Sequence, residues 1–157
     1  MKLAEALIER KGLQKKIERL SERLVNNAKT QEGEVPSENP LELIKEINGT
    51  NEVLTTLIIG INKTNALVYL NPAQVPVMTL ADALARRDGI AKKRNVLAKF
   101  AEAATEPVRA YGRLEVKYVR TMNIPDIQRA IDALAAEYNS LDAKIQGKNW
   151  EIDLVVD

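Results

Sequence analysis

The amino-acid sequence predicts an all-α protein, mainly an antiparallel four-helix bundle made of two tandem helical hairpins. Three observations carry that prediction: four heptad-spaced apolar stripes, turn chemistry between them, and a near-repetition of the first stripe's opening in the third. Apolar residues that return at alternating steps of three and four lie on one face of a helix.

The first stripe runs Leu3, Ala6, Arg10, Leu13, Ile17, Leu20 and Leu24. A second runs Leu43, Ile47, Thr50, Leu54, Leu57, Ile61, Thr64 and Val68, and a third Leu80, Ala83, Arg87, Ile90, Arg94, Leu97, Ala101 and Ala104. The fourth, the most regular, runs Ile124, Ile127, Ile131, Leu134, Tyr138, Leu141 and Ile145, with Lys148 and Ile152 in register. Each repeats every seven residues, the spacing of long helices that cross at shallow angles. Between them, Gly33–Pro40 reads as a turn, and Asn39 followed by Pro40 is the chemistry of a helix start. Thr79 suits an N-cap for the third helix, with Asp82 in its first turn, and Pro125 with Asp126 opens the fourth.

The repetition is dense. Met1-Lys-Leu-Ala-Glu-Ala-Leu matches Met78-Thr-Leu-Ala-Asp-Ala-Leu at an offset of 77, and Arg10, Gly12 and Lys15-Lys16 match Arg87, Gly89 and Lys92-Lys93. Ile61–Asn65 aligns more weakly with Ile145–Asn149. The expectation is a single domain, 1–157, built by duplication of 1–77 and 78–157. The run Leu114–Met122 alternates with β-branched residues and reads as a strand. With the extended polar segment 27–33 it is expected to form a short two-stranded β-ribbon at the loop end, where the connections 25–39 and 105–124 meet. Such a ribbon needs helices packed behind it.

Several segments together carry a resemblance: the opening MKLAEAL, Asn26–Glu34, Leu84–Asp88 and Lys117–Ile124. The chain resembles the septicolysin-like family of small, mostly uncharacterised bacterial proteins over nearly its whole length. The family name implies cytolysis, and no catalytic set comes with it.

Composition removes many function classes. Lys and Arg total 23 and Asp and Glu 22, a formal charge of +1, so no global field steers nucleic acid or an anionic surface. Without cysteine or histidine, thiolate chemistry and the usual neutral-pH acid–base group are absent and zinc and copper sites are disfavoured, while carboxylate-only Mg²⁺ or Ca²⁺ sites survive this argument. Aromatics are few, one Phe, one Trp and four Tyr, so the core is aliphatic. The apolar run Leu57–Ile61 is far below a membrane span, and charges at Glu5, Glu9, Arg10 and Lys11 break any signal-peptide core. A cytoplasmic location is expected.

The candidate positions are few. Arg10, Arg87 and Arg94 interrupt apolar stripes, where a guanidinium needs a carboxylate or an anion; they are either anion-binding residues or internal register-setting ion pairs. Asn26, Asn27 and Gln31 form a polar loop that could hold a ligand or simply turn the chain. Helix three is locally basic from Arg86 to Lys99, a phosphate-contact face or a solvated one. Val53–Ile61 is wider than one stripe needs, which makes Leu54, Ile58, Ile59 and Tyr69 candidates for a subunit interface. No metal, cofactor or enzymatic activity is expected. The favoured function is a helical scaffold that associates with itself or another protein, with nucleic acid disfavoured. Anion or nucleotide-type ligand binding through the duplicated arginines is the alternative, and cytolysis rests on the family name alone.

Overall fold

The computed structural model describes residues 1–73, 75–107 and 117–155. The protein is all-α: α1 (Leu3–Asn26), α2 (Pro40–Leu67), α3 (Leu80–Thr105) and α4 (Ile124–Glu151) follow in chain order, the element set expected of a four-helix bundle. All residues of the four expected stripes are buried or half-buried. The chain divides into two compact units, Met1–Leu80 with Gln146–Asp157, and Ala81–Ile145.

Helix ends follow local chemistry. Glu5 in the first turn of α1 accepts a hydrogen bond from the backbone N–H of Lys2 at 2.8 Å, the reach-back half of a capping box. The Asn39 side chain accepts from the Leu41 N–H at 3.0 Å, with Pro40 at the first helical position. These satisfy donors that a helix start leaves without intrahelical partners. The ion pair Lys16–Glu46 (2.9 Å) joins α1 to α2, and Arg23–Glu38 joins the end of α1 to the residues just before α2, so the two helices run antiparallel.

The core of the first unit gathers helix ends. Leu3 and Ala6 from α1, Leu57 and Ile61 from α2, and Leu80 at the start of α3 form one buried cluster. Val68, Leu70, Ile152 and Leu154 pack on it from the segments that leave α2 and α4. Those segments are held by two isolated antiparallel bridges, Lys2 with Asp153 and Tyr69 with Thr79. At the first bridge the Leu3 N–H donates to Ile152 O (3.0 Å) and the Leu154 N–H to Met1 O (2.9 Å). At the second the Leu80 N–H donates to Val68 O (2.8 Å) and the Leu70 N–H to Met78 O (2.9 Å). The sequence offsets of 77 for odd helices and 84 for even ones carry every partner of one bridge onto the other.

Within the second unit α3 and α4 pack antiparallel, with Ala83, Ile90, Ile127 and Ile145 buried and Arg87 ion-paired to Asp142. The Arg120 Nε donates to Ala104 O at 3.1 Å, tying the approach to α4 back to the end of α3.

The expected β-ribbon does not form among the described residues. Residues 27–33 make turns, with Gly33 at φ 87° and the Glu34 N–H bonded to Gln31 O, and 117–123 carry no strand. Residues 114–116 of the expected strand lie outside the described residues. The alternation of Lys117–Met122 reflects an irregular exposed stretch rather than a pleated face: Tyr118 and Val119 are 70% and 85% exposed.

Candidate functional site

The three in-stripe arginines have different surroundings. Arg87 lies on α3, half-buried, and its Nη1 donates to Asp142 Oδ1 on α4 at 2.8 Å. Its Nε and Nη2 donate to Asp88 Oδ1 at 3.2 and 3.0 Å. Tyr138 of α4 completes the cluster: the guanidinium carbons of Arg87 and Arg94 lie 6.0 and 5.7 Å from its ring centroid, within cation–π range. Burial alone would lower the Arg87 pKa, but the hydrogen bonds to Asp142 and Asp88 outweigh it and hold the guanidinium above its ordinary value. The Arg87 guanidinium is thus already neutralised by carboxylates within the chain.

Arg10 is the opposite case. It sits half-buried on α1, and its Nε is buried with no hydrogen-bond partner among the described residues. An N–H left so costs roughly 1–3 kcal/mol of desolvation.

The polar loop is structural where its bonds are visible. Asn26 ends α1 and is exposed. Asn27 caps the helix: its Nδ2 donates to Arg23 O at 2.9 Å, and its Oδ1 accepts from the Glu38 N–H at 3.0 Å. Gln31 is exposed and contributes its carbonyl to the turn at Gly33. Beside them Arg23 Nε donates to Glu38 Oε2 at 3.0 Å. That hydrogen bond holds the Glu38 carboxyl below, and the Arg23 guanidinium above, its ordinary pKa. On the basic helix Arg86 meets Glu137 at 3.3 Å, while Lys92, Lys93 and Lys99 are exposed.

The apolar candidates on α2 separate. Leu54 is buried within the chain and belongs to its core. Ile58 is half-buried, whereas Ile59 and, beyond the helix, Tyr69 are 49% and 48% exposed. Ile59 borders an open hollow of about 560 Å³ lined by apolar groups of Met1, Val53, Leu57, Gly60, Leu154 and Val155, with Glu9, Glu52 and Lys63 at its rim.

Sequence reasoning missed one wall of this hollow, the segment after α4. A Cβ at Gly60 would lie 3.1 Å from Val155 O and 3.4 Å from Leu154 Cδ2, so glycine lets the chain cross α2 at close range. The Val155 N–H then donates to Thr64 Oγ1 at 2.9 Å, and that hydroxyl donates to Gly60 O at 2.8 Å. A glycine inside the apolar run Leu57–Ile61 was the available signal.

Among the described residues no group of three or more carboxylates could hold a metal ion, and no helix is long and apolar enough to cross a membrane.

These features define a protein of the all-helical class, with several polar candidates engaged in holding its helices and turns together. The chain belongs to the family of unknown function DUF6847, which matches residues 10–154. The crystal structure of a functionally unknown conserved protein from Corynebacterium diphtheriae is similar over 99% of both chains, at 39% identity and a TM-score of 0.89. No curated protein matches the chain. The expected septicolysin-like membership is overturned by the family match and by that neighbour, neither of which connects the chain with cytolysis. The segments behind that resemblance are short and scattered over a helix start, a turn, the interior of α3 and an irregular stretch.

Proposed function

We propose that this chain is a non-enzymatic helical scaffold that binds a second copy of itself through the outer face of α2. The observation that carries the proposal is the open apolar hollow beside Val53, Ile59 and Gly60, with Val53 and Ile59 each about half exposed. Contiguous apolar surface of this kind marks interaction sites, and the commonest soluble oligomer is a twofold dimer that buries the same patch on both subunits. In this proposal the protein works in the cytoplasm, and its two hairpins arose by duplication. Light scattering on the full chain at micromolar concentration should return twice the chain mass, and Ile59→Glu should return the mass of one chain. A single-chain mass for the unsubstituted protein throughout that range contradicts the proposal.

A second reading, an anion held at Arg10, draws on the unbonded Nε. Arg87 gives it no matching support, because Asp142 and Asp88 already neutralise that side chain. Calorimetric titration with inorganic phosphate tests it: heat that vanishes in Arg10→Met supports the reading, and no heat in the unsubstituted chain rejects it.

A further inference from the structure

We infer that the second copy docks with its α2 antiparallel to the first, across a twofold axis passing between Thr56 and Ile59, so that Glu52 of each chain faces Lys63 of the other. This inference rests on the self-association proposed above and names its geometry.

Glu52, Thr56, Ile59 and Lys63 recur at steps of four, three and four, which places them in one narrow stripe of α2. The spacing is the same read from either end. A twofold axis at the centre therefore lays Thr56 against Ile59 and Glu52 against Lys63, twice. The stripe extends about 16 Å from Glu52 to Lys63 at the rise of an α-helix. Its two ends carry opposite charges, and an acid and a base at opposite ends of a stripe attract only when two copies run antiparallel. A parallel pair would set Glu52 on Glu52 and Lys63 on Lys63.

The centre suits helix contact. The Thr56 hydroxyl donates to Glu52 O at 3.1 Å, so its polar group is satisfied within α2 and its methyl is left for a partner. Ile59 is 49% exposed, a large apolar side chain at the middle of the contact. Beside the stripe, Val53 and the Leu57–Gly60 floor of the hollow receive what Thr56 and Ile59 do not cover. The charged rim excludes a parallel register, and the apolar centre supplies the affinity.

The test uses the full chain in four forms, with dissociation constants from sedimentation equilibrium: unsubstituted, Glu52→Lys, Lys63→Glu, and an equimolar mixture of the two variants. Each variant alone sets two like-charge pairs into the dimer and should weaken it by about tenfold or more. The mixture should recover, because a mixed dimer again opposes Lys to Glu at both ends. Recovery also shows that neither substitution has unfolded the chain. If the unsubstituted protein dimerises and the variants do so equally well, or the mixture fails to recover, this interface is wrong and self-association stands. A monomeric unsubstituted protein overturns both.

Discussion

Arg10 and Arg87 stand at matching positions of their hairpins by the offset of 77, yet Arg87 sits in a charge cluster, whereas among the described residues the Arg10 Nε has no partner. Around Arg87 are Asp88, Arg94, Tyr138 and Asp142. At the offsets of 77 and 84 the corresponding residues of the first hairpin are Lys11, Ile17, Leu54 and Ile58. Where the second hairpin carries two carboxylates, a guanidinium and an aromatic ring, the first carries an amine and three aliphatic side chains. The same exchange continues along the outer face, where Val53 of α2 corresponds to Glu137 of α4, the partner of Arg86. The difference teaches that the apolar excess of α2 is confined to one hairpin: α4 spends the corresponding positions on ion pairs, whereas α2 leaves some of them half exposed.

Removing the carboxylate from the built cluster has the largest expected effect. Asp142→Ala leaves the half-buried Arg87 without its 2.8 Å partner and should cost roughly 1.5–3 kcal/mol in urea unfolding, the range for hydrogen bonds to charged groups. The mirror experiment in the first hairpin should go the other way. Arg10→Met removes a buried unbonded N–H and keeps an apolar stem, so stability should stay level or rise by up to about 1 kcal/mol. A loss beyond that size would mean Arg10 has a partner in solution, and the contrast between the hairpins would shrink.

The smallest effect belongs to the first hairpin's own surface pairs. Hydrogen bonds from Arg23 and Lys16 hold the Glu38 and Glu46 carboxyls below their ordinary pKa. Because the folded value is the lower one, the unfolded chain takes up protons first as pH falls. The stabilising contribution is therefore complete above about pH 4.3, the ordinary glutamate value, and is lost as pH drops through the depressed folded values. Acid titration followed by circular dichroism should show a shallower decline for Glu38→Gln/Glu46→Gln than for the unsubstituted chain. Equal slopes would remove these pairs from the comparison.

Much of the fold is legible in the residues because periodicity and caps are local. The stripe from Leu3 to Leu24 faces inward throughout, and Asn39 with Pro40 opens α2 where their chemistry requires. What escapes is set by tertiary pairing. Asp142 and Tyr138 look like ordinary helix residues until α4 is laid beside Arg87. Leu54 reads as surplus apolar surface, but a helix packed along its length buries it. The Lys2–Asp153 and Tyr69–Thr79 bridges involve one residue pair each, too short to leave an alternating pattern, while the alternation at Lys117–Met122 lies in an irregular stretch. The exposed Ile59 was foreseeable from the width of the apolar run; Gly60 marked a place for a close approach, but not that residues 154–155 would make it.

That return governs when the molecule can become itself. Leu3 hydrogen-bonds through its backbone to Ile152, and the cluster holding Leu3, Ile61 and Leu80 is finished by Ile152 and Leu154. During synthesis α1 and α2 can coil and pair early, but the core beneath them stays open until Ile152 and Leu154 have been made and can reach it. Contacts closed over nearly the whole chain are slow to form, and an open apolar core is a hazard in the interval. α1 waits for the segment that follows α4.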